Sequence, residues 1–408
     1  MSDITARRRF LETFGSLAGI GGSLESGYDR LVFTPAELAA RSWFHNEADR
    51  LGLQVEVDGN TNMWAWWGSD RSSAVGTGSH LDSVVKGGAY DGALGVVSAL
   101  LAIERLQETY KKPQRPIVVI AFAGEEGARF GLPTLGSRLL TGALKPSDVL
   151  GRTDREGGAF GDAMTAAGFD PDSLGADPSR LGFLACFVEL HIEQGRGLVH
   201  QDAAVGVISG VWPHGRYRFD LTGTPDHAGA ASMDSRADPM LVLADLVQLA
   251  EGVGNDRVRA TIGRVEVSPN STNTIAGTVS AWLDARGAES DDVFVGVASI
   301  TAAVAARAKA RDVAVTWEQE SWSPAVGFDQ DLSETIDRVV QSMGHESSPI
   351  PTAAGHDAAT LGAHIPSGML HVRNRTGISH SPHECAAVDD CVSGVAALTS
   401  VLEELACR

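Results

Sequence analysis

The chain has 408 residues, of which 43% are hydrophobic and 21% charged, and its formal net charge is −19. That length and apolar content allow a large core and make two domains the natural expectation. The acidic balance argues against an electrostatic grip on nucleic acid or on an anionic membrane face and leaves a small-molecule substrate as the easier partner. No stretch approaches the roughly 20 consecutive apolar residues of a membrane span, and the start, where Arg7, Arg8 and Arg9 precede Phe10, Leu11 and Glu12, lacks the apolar core of a secretory signal. A cytoplasmic location is expected. Cys186, Cys385, Cys391 and Cys407 form no CxxC pair, so they are expected to be reduced thiols and neither a zinc knuckle nor a disulfide framework.

In chain order, strand-like and helical runs alternate through the first half: "AVGTGSHLDS", "ALGVVSALLAIERLQETY" and "PIVVIAFAGEEG". Leu94, Val97, Leu101, Ile103 and Leu106 fall near helical spacing, and the apolar run from 117 to 122 is bounded by Pro116 and Gly124. This βαβ pattern predicts an α/β fold, with a mixed, mostly parallel central sheet flanked by helices. From about 140 to 182 the chain is rich in Gly, Asp and Ala and predicts helices and loops without a strand. The sheet pattern resumes at "FLACFVELHIEQG".

At "SGVWPHG" the texture changes. Residues 215–320 read as strand, helix, strand, strand, helix, strand, an order that closes a compact α/β sandwich by itself. The expected organisation is therefore a catalytic domain in two parts, 1–210 and 328–408, interrupted by an inserted domain at 211–327. The second part carries helix candidates at 331–343 and 386–405.

Imidazole nitrogens and carboxylate oxygens held on rigid elements are the ligands a borderline divalent cation takes, and strand ends of an α/β sheet are where such groups converge. Four successive clusters sit at such positions. His80 and Asp82 close one strand, with Asp91 in the loop that follows; Glu125 and Glu126 follow the apolar run; His191 and Glu193 end "CFVELHIE"; His380, His383 and Glu384 come from "GISHSPHE". A carboxylate such as Asp91 can bridge two ions that share and activate one water. Two adjacent glutamates divide the remaining work, one binding metal and the other moving the proton. Asp82 is within reach to fix the tautomer of the His80 ring.

The segments "GSHLDSVVKGGAYDGALGV", "AFAGEEGARFG", "ELHIEQG", "DHAG" with "RADPM", "NTIAG", "LDARG", "GHDA" and "GISHSPHE" together resemble the hydantoinase/carbamoylase amidases. These are relatives of the co-catalytic zinc aminopeptidases and include N-carbamoyl-L-amino-acid hydrolases, β-ureidopropionases and allantoate amidohydrolases. The resemblance runs in family order from about residue 60 to 390. It implies a zinc aminopeptidase-like catalytic domain and a ferredoxin-like inserted domain that serves as lid and dimer contact. By the resemblance His80 and His191 hold one metal, Glu126 and His380 the other, with Asp91 between them and Glu125 as general base and acid. His227 would polarise the scissile carbonyl across a homodimer interface, Asn273 and Arg286 would bind the substrate's carboxylate, and Gln194 would lie beside the ureido group.

Arg286 has the donor fork that matches a carboxylate, although a surface pair with Asp284 is the alternative. His356 is expected to help shape the substrate site, and His383 to be structural. The implied cofactors are two divalent ions per chain, zinc first, with manganese, cobalt or nickel also compatible with such ligands. The implied reaction is hydrolysis of a linear ureido C–N bond in an N-carbamoyl-L-amino acid or allantoate, releasing ammonia and CO₂. An aminoacylase or dipeptidase using the same dinuclear centre is the alternative enzyme, and a non-catalytic amino-acid-binding protein is the alternative from another class. Two segments depart from the family pattern: Ala230, Ala231, Ser232 and Met233 replace Thr-Thr-Pro-Met, and Asn273-Thr274-Ile275-Ala276 replaces Asn-x-Ile-Pro. Both bear on substrate identity, while "NMWAWWGSD" and "WPHGRYRF" look closest to the allantoate branch.

Overall fold

The computed structural model describes residues 3–345 and 348–408. The chain divides into two compact units, one formed by Met1–Gly210 with Gly327–Arg408 and the other by Val211–Val326. In chain order the strands begin with a short hairpin, β1 (Gly22–Ser23) and β2 (Gly27–Tyr28). Then come β3 (Gln54–Val57), β4 (Met63–Trp67), β5 (Ala74–His80), β6 (Ile117–Phe122), β7 (Leu184–Ile192) and β8 (Val205–Val211). The second unit holds β9 (His214–Thr222), β10 (Val258–Ser268), β11 (Thr278–Gly287) and β12 (Ala314–Ser323), after which β13 (Val326–Gly327), β14 (Ile350–Thr352) and β15 (Ser367–Val372) follow.

The first unit is built on a nine-stranded sheet ordered β13-β8-β15-β7-β5-β6-β4-β3, with β14 paired to β8. Its centre is parallel, β15 to β7, β7 to β5 and β5 to β6. Its margins are antiparallel, with β8 on β15, β4 on β6 and β3 on β4. Strands β5, β6 and β15 are buried at every residue, the continuous apolar reading of a sheet covered on both faces. The helix Ala93–Thr109 is buried on every side from Ala93 to Ile103, beyond the single apolar stripe that its spacing predicts. It packs on β5 and β7 and is covered in turn by the helices Val388–Ala406 and Asp3–Ala18. The stretch from 135 to 181 folds as short helices, with no strand among its described residues.

Because the central strands run in the same direction, their C-terminal ends share one edge of the sheet. His80 is the last residue of β5, Glu125 lies three residues past β6, and His191 and His371 are the penultimate residues of β7 and β15. The closeness of β5 to β6 depends on Gly78, where φ is +139° and a Cβ would stand 1.9 Å from the carbonyl oxygen of Ile120. Only glycine tolerates that backbone and that approach.

The second unit is a four-stranded antiparallel sheet ordered β10-β11-β9-β12. Alternate residues of β9 and β11 are buried. Tyr217, Phe219, Leu221, Val279, Ala281 and Leu283 form one core with Val242 and Leu246 of the helix Pro239–Val253 and with Val293, Ile300 and Val304 of the helix Ser290–Lys309. Pro239 follows the capping Asp238, whose carboxylate accepts from Met240 N, a combination that starts a helix. No helix among the described residues is long and apolar enough to cross a membrane.

Gly78→Ala should lower unfolding stability by about 3 kcal/mol or more, because backbone must move to admit the methyl group. The check is the denaturation midpoint at fixed metal content, and an unchanged midpoint would contradict the role given to this residue.

Candidate metal centre

Asp91 stands at the middle of the cluster. Its Oδ1 is 3.3 Å from His80 Nε2 and 3.2 Å from His191 Nε2. Its Oδ2 is 3.6 Å from His380 Nε2, which is itself 3.3 Å from Glu126 Oε2. Two triads result, His80 with Asp91 and His191, and Asp91 with Glu126 and His380, each with its ligand atoms within 4.8 Å of one another and each able to hold a metal ion. They share the two oxygens of one carboxylate.

The ring orientations suit a cation. His80 Nδ1 lies 3.1 Å from the carbonyl oxygen of Asp82, and His191 Nδ1 lies 2.8 Å from that of Ile192. With Nδ1–H donating to a carbonyl in each ring, the lone pair is left on Nε2, facing Asp91. His80 Nε2 is buried with no hydrogen-bond partner among the described residues. The turn into the following helix requires Gly92, where φ is +66° and a Cβ would stand 2.4 Å from His80 Nδ1.

Asp82 acts differently from the expectation that its carboxylate fixes the His80 tautomer. That carboxylate is 3.6 Å from His80 Nδ1, so the contact that sets the tautomer is the backbone carbonyl of the same residue. The carboxylate accepts instead from the backbone N–H of Glu125 and of Glu126, each at 3.1 Å. It thereby fixes the turn that presents both glutamates. Glu125 belongs to neither triad, yet its Oε2 is 3.8 Å from His80 Nε2, beside the cluster and almost wholly buried.

The surrounding groups hold Asp91 in place. Its Oδ2 accepts from Gln194 Nε2 at 2.7 Å and from Ser379 Oγ at 3.2 Å. Its backbone N–H and that of Tyr90 donate to Glu384 at 3.0 and 2.8 Å. Glu384 thus aims the loop of Asp91, a role that its place in "GISHSPHE" did not single out. Glu193, grouped with His191 in the sequence, turns away and accepts from the N–H of Gly197 and Leu198. His380 has φ +55°, a left-handed backbone that costs a non-glycine residue about 1–3 kcal/mol and is a mark of functional positions.

The electrostatics are those of a buried acidic cage. Burial, offset in part by His80 and reinforced by Asp357, holds Glu125 well above the usual carboxylate range. Burial and the charge of Asp91 do the same for Glu126. Burial opposes ionisation of Asp91, but hydrogen bonds and charge from His191 and His80 outweigh it and hold that carboxyl well below its usual range. Burial likewise opposes the charged form of His80, and its contacts with Asp82 and Asp91 overcome it and raise the imidazole well above its ordinary value. The shifts favour protons at positions where divalent cations could satisfy the same oxygens and nitrogens.

Behind His191 lie two further histidines. His356 occupies the N-cap position of the helix Asp357–Gly362, its ring centroid 4.6 Å from that of His191 and 5.8 Å from that of His371. Burial pushes both His356 and His371 well below the usual imidazole value, helped in each by the neighbouring His191. His371 escapes sequence reasoning because one histidine inside "GMLHV" reads as part of an apolar strand. Asp357 accepts from Ser137 Oγ at 2.5 Å, and burial pushes its carboxyl up to about 8.

His227, Asn273 and Arg286 belong to the second unit. The "DHAG" and "NTIAG" segments lie side by side, Ala228 N donating to Asn273 O at 2.9 Å and Ile275 N to Asp226 O at 2.8 Å. His227 Nδ1 accepts from the N–H of Gly229 and of Ala230 at 3.0 and 3.1 Å. The neutral ring must then carry its proton on Nε2, as an exposed donor. Asn273 Oδ1 accepts from Ser271 Oγ at 2.8 Å. Arg286 grips Asp284 through Nε and Nη2 at 2.6 and 3.0 Å, the pairing that its sequence context left open.

Comparison with known proteins places this geometry. The profile of peptidase family M20/M25/M40 matches residues 76–404. The chain is 33% identical to N-carbamoyl-L-amino acid amidohydrolase of Geobacillus stearothermophilus, over 98% of each chain. It is 30% identical to allantoate amidohydrolase of Bacillus subtilis, over 96% of this chain and 95% of that one. The crystal structure of a hydantoinase/carbamoylase family amidase from Burkholderia vietnamiensis superposes with a TM-score of 0.90 at 28% identity, covering 98% of both chains. On this full-length likeness the chain belongs to peptidase family M20/M25/M40, among its hydantoinase/carbamoylase amidases.

Proposed function

We propose that this hydrolase of amide C–N bonds cleaves a linear ureido bond in an N-carbamoyl-L-amino acid or allantoate, using two divalent cations. The observation that carries the reading is the Asp91 carboxylate shared between two triads, with Glu125 beside them and in neither. The donor set fits such ions: imidazole Nε2 lone pairs and carboxylate oxygens, with one imidazole nitrogen otherwise unpartnered in the interior. His80 and His191 would hold one ion, Glu126 and His380 the other, and Asp91 both. Zinc is the first expectation, and manganese, cobalt or nickel suit the same ligands. When bound, the ions would supply Lewis acidity, lowering the pKa of a shared water and polarising the ureido carbonyl.

The chain's own residues do the rest. Glu125 takes a proton from the attacking water and returns it to the leaving nitrogen, and its raised affinity for protons in the buried cage suits a group that must hold one between the two steps. The C–N bond breaks to give an amine that keeps its carboxylate and a carbamate that decomposes to CO₂ and ammonia. Gln194, anchored on Asp91, would lie beside the ureido group. His356 shapes the wall of the site.

The second unit supplies the remaining groups in this reading. Its β-α-β-β-α-β order and its sheet order support a ferredoxin-like fold, and in this reading the domain acts as lid and as the contact of a cytoplasmic homodimer. His227, locked with its proton on Nε2 by two backbone donors, would donate to the carbonyl oxygen as it gains charge, a contribution worth roughly 3–4 kcal/mol where such donors have been removed. Asn273 and Arg286 would hold the substrate's carboxylate, Arg286 exchanging part of its grip on Asp284 for it.

Glu125→Gln is expected to retain fold and bound metal while losing about a thousandfold in kcat; turnover within tenfold of the parent would remove Glu125 from the mechanism. Asp91→Ala should deplete both ions in elemental analysis, and retention of two per chain would dispose of the bridge. Mixing inactive His227→Ala chains with inactive Glu125→Gln chains should restore activity in heterodimers, whereas none in proven heterodimers would rule out action across the interface. Ammonia release from allantoate, ureidopropionate and N-carbamoyl-L- and D-amino acids, set against N-acetyl-amino acids and dipeptides, tests the substrate class. Faster cleavage of the acetyl or peptide substrates would turn the reading toward an aminoacylase or dipeptidase.

A further inference from the structure

The proposed mechanism uses the Nε2 edge of the His191 ring; packed against that ring are two further imidazoles. His371 pairs directly with His191 in the parallel register of β15 and β7, and His356 closes over both from the helix cap. The three residues are 1%, 2% and 1% exposed for His191, His356 and His371. Among the described residues neither ring nitrogen of His371 has a hydrogen-bond partner, and Nε2 of His356 has none. Each such buried polar atom costs about 1–3 kcal/mol when left unsatisfied, a penalty that argues for an occupant. The ligand nitrogens of all three lie within 4.8 Å of one another, a span that modest side-chain rotation closes onto a single ion.

We propose that His191, His356 and His371 form a third cation position, selective for zinc, copper or nickel over magnesium or manganese. A set of three imidazole ligands without a carboxylate among them favours those borderline ions and gives a hard cation little. His191 belongs to this triad and to the Asp91 triad alike. Its Nδ1 is committed to the carbonyl of Ile192 and its Nε2 accepts from the N–H of Gly92 at 3.2 Å, so it has a single lone pair to give, and one lone pair serves one ion. Filling the third position therefore withdraws a ligand from the Asp91 pair. The position is inhibitory, and an excess of a borderline cation should suppress an enzyme that manganese supports.

The inhibition rests on the dinuclear reading, but the site itself does not, and the test uses the cation alone. Copper(II) is titrated into metal-stripped Asp91→Ala protein, where the dinuclear pair is broken, and into the same protein carrying His371→Phe or His371→Leu. The two replacements together keep one misfolded variant from deciding the result, and circular dichroism verifies the fold of each. The expected outcome is one copper per chain in Asp91→Ala, with an electron paramagnetic resonance spectrum split by three nitrogens, and affinity at least tenfold weaker with fewer nitrogens once His371 is replaced. Equal affinity and nitrogen count with and without His371 would overturn the proposal and leave the pocket to a buried water. Failure of every ureido substrate would leave the copper result unaffected. Manganese-loaded parent enzyme should lose activity with added copper while His371→Phe resists, and equal sensitivity would overturn the inhibitory role.

Discussion

Everything in the first unit is arranged around one carboxylate that has more partners than a single charge can serve. Asp91 faces two imidazole nitrogens with one oxygen and a third with the other, in an interior that also contains Glu125, Glu126, Asp82 and Glu384. So many buried acids are untenable as free anions. Protons can neutralise them, as the opposed shifts of Asp91 and its acidic neighbours indicate. In the proposed dinuclear reading two cations would do so instead, each meeting nitrogen and oxygen ligands already turned toward it.

The scaffold contributes rigidity more than chemistry. Parallel pairing of β5, β6 and β7 brings His80, the glutamate turn and His191 to one edge, and glycines at 78 and 92 admit the close approaches on which that edge depends. Backbone carbonyls then set both ring tautomers, Asp82 holds the glutamate turn by its two oxygens, and Glu384 holds the Asp91 loop. These are contacts to main chain, which has little freedom to move, so the reactive groups are positioned before substrate arrives.

The sequence was most legible where chemistry and secondary structure coincide. A histidine or acid that follows an apolar strand or a glycine turn is a conspicuous pattern, and His80, Asp91, Glu126, His191 and His380 stand out that way, with the family resemblance dividing them between two ions. Their meeting around Asp91 is visible in the structure. Less legible were contacts that depend on distance in space alone. The carboxylate of Asp82 is two residues from His80, but its partners are the N–H groups of Glu125 and Glu126. Glu384 serves a loop nearly 300 residues away in the chain, as its bonds to Tyr90 and Asp91 show. The tryptophan-rich segment at Met63–Trp67 is an antiparallel strand on β6, although continuous aromatic burial without alternation gives no strand period to read. His371 was hidden for the opposite reason, since its strand is so apolar that one polar residue leaves no mark.

The most direct test of the shared carboxylate is anomalous diffraction from crystals of the manganese-loaded protein, with data collected on both sides of the manganese edge. Two peaks are predicted, one between His80 and His191 and one between Glu126 and His380, each in contact with a different oxygen of Asp91. A single peak, or two peaks without Asp91 between them, would contradict the account.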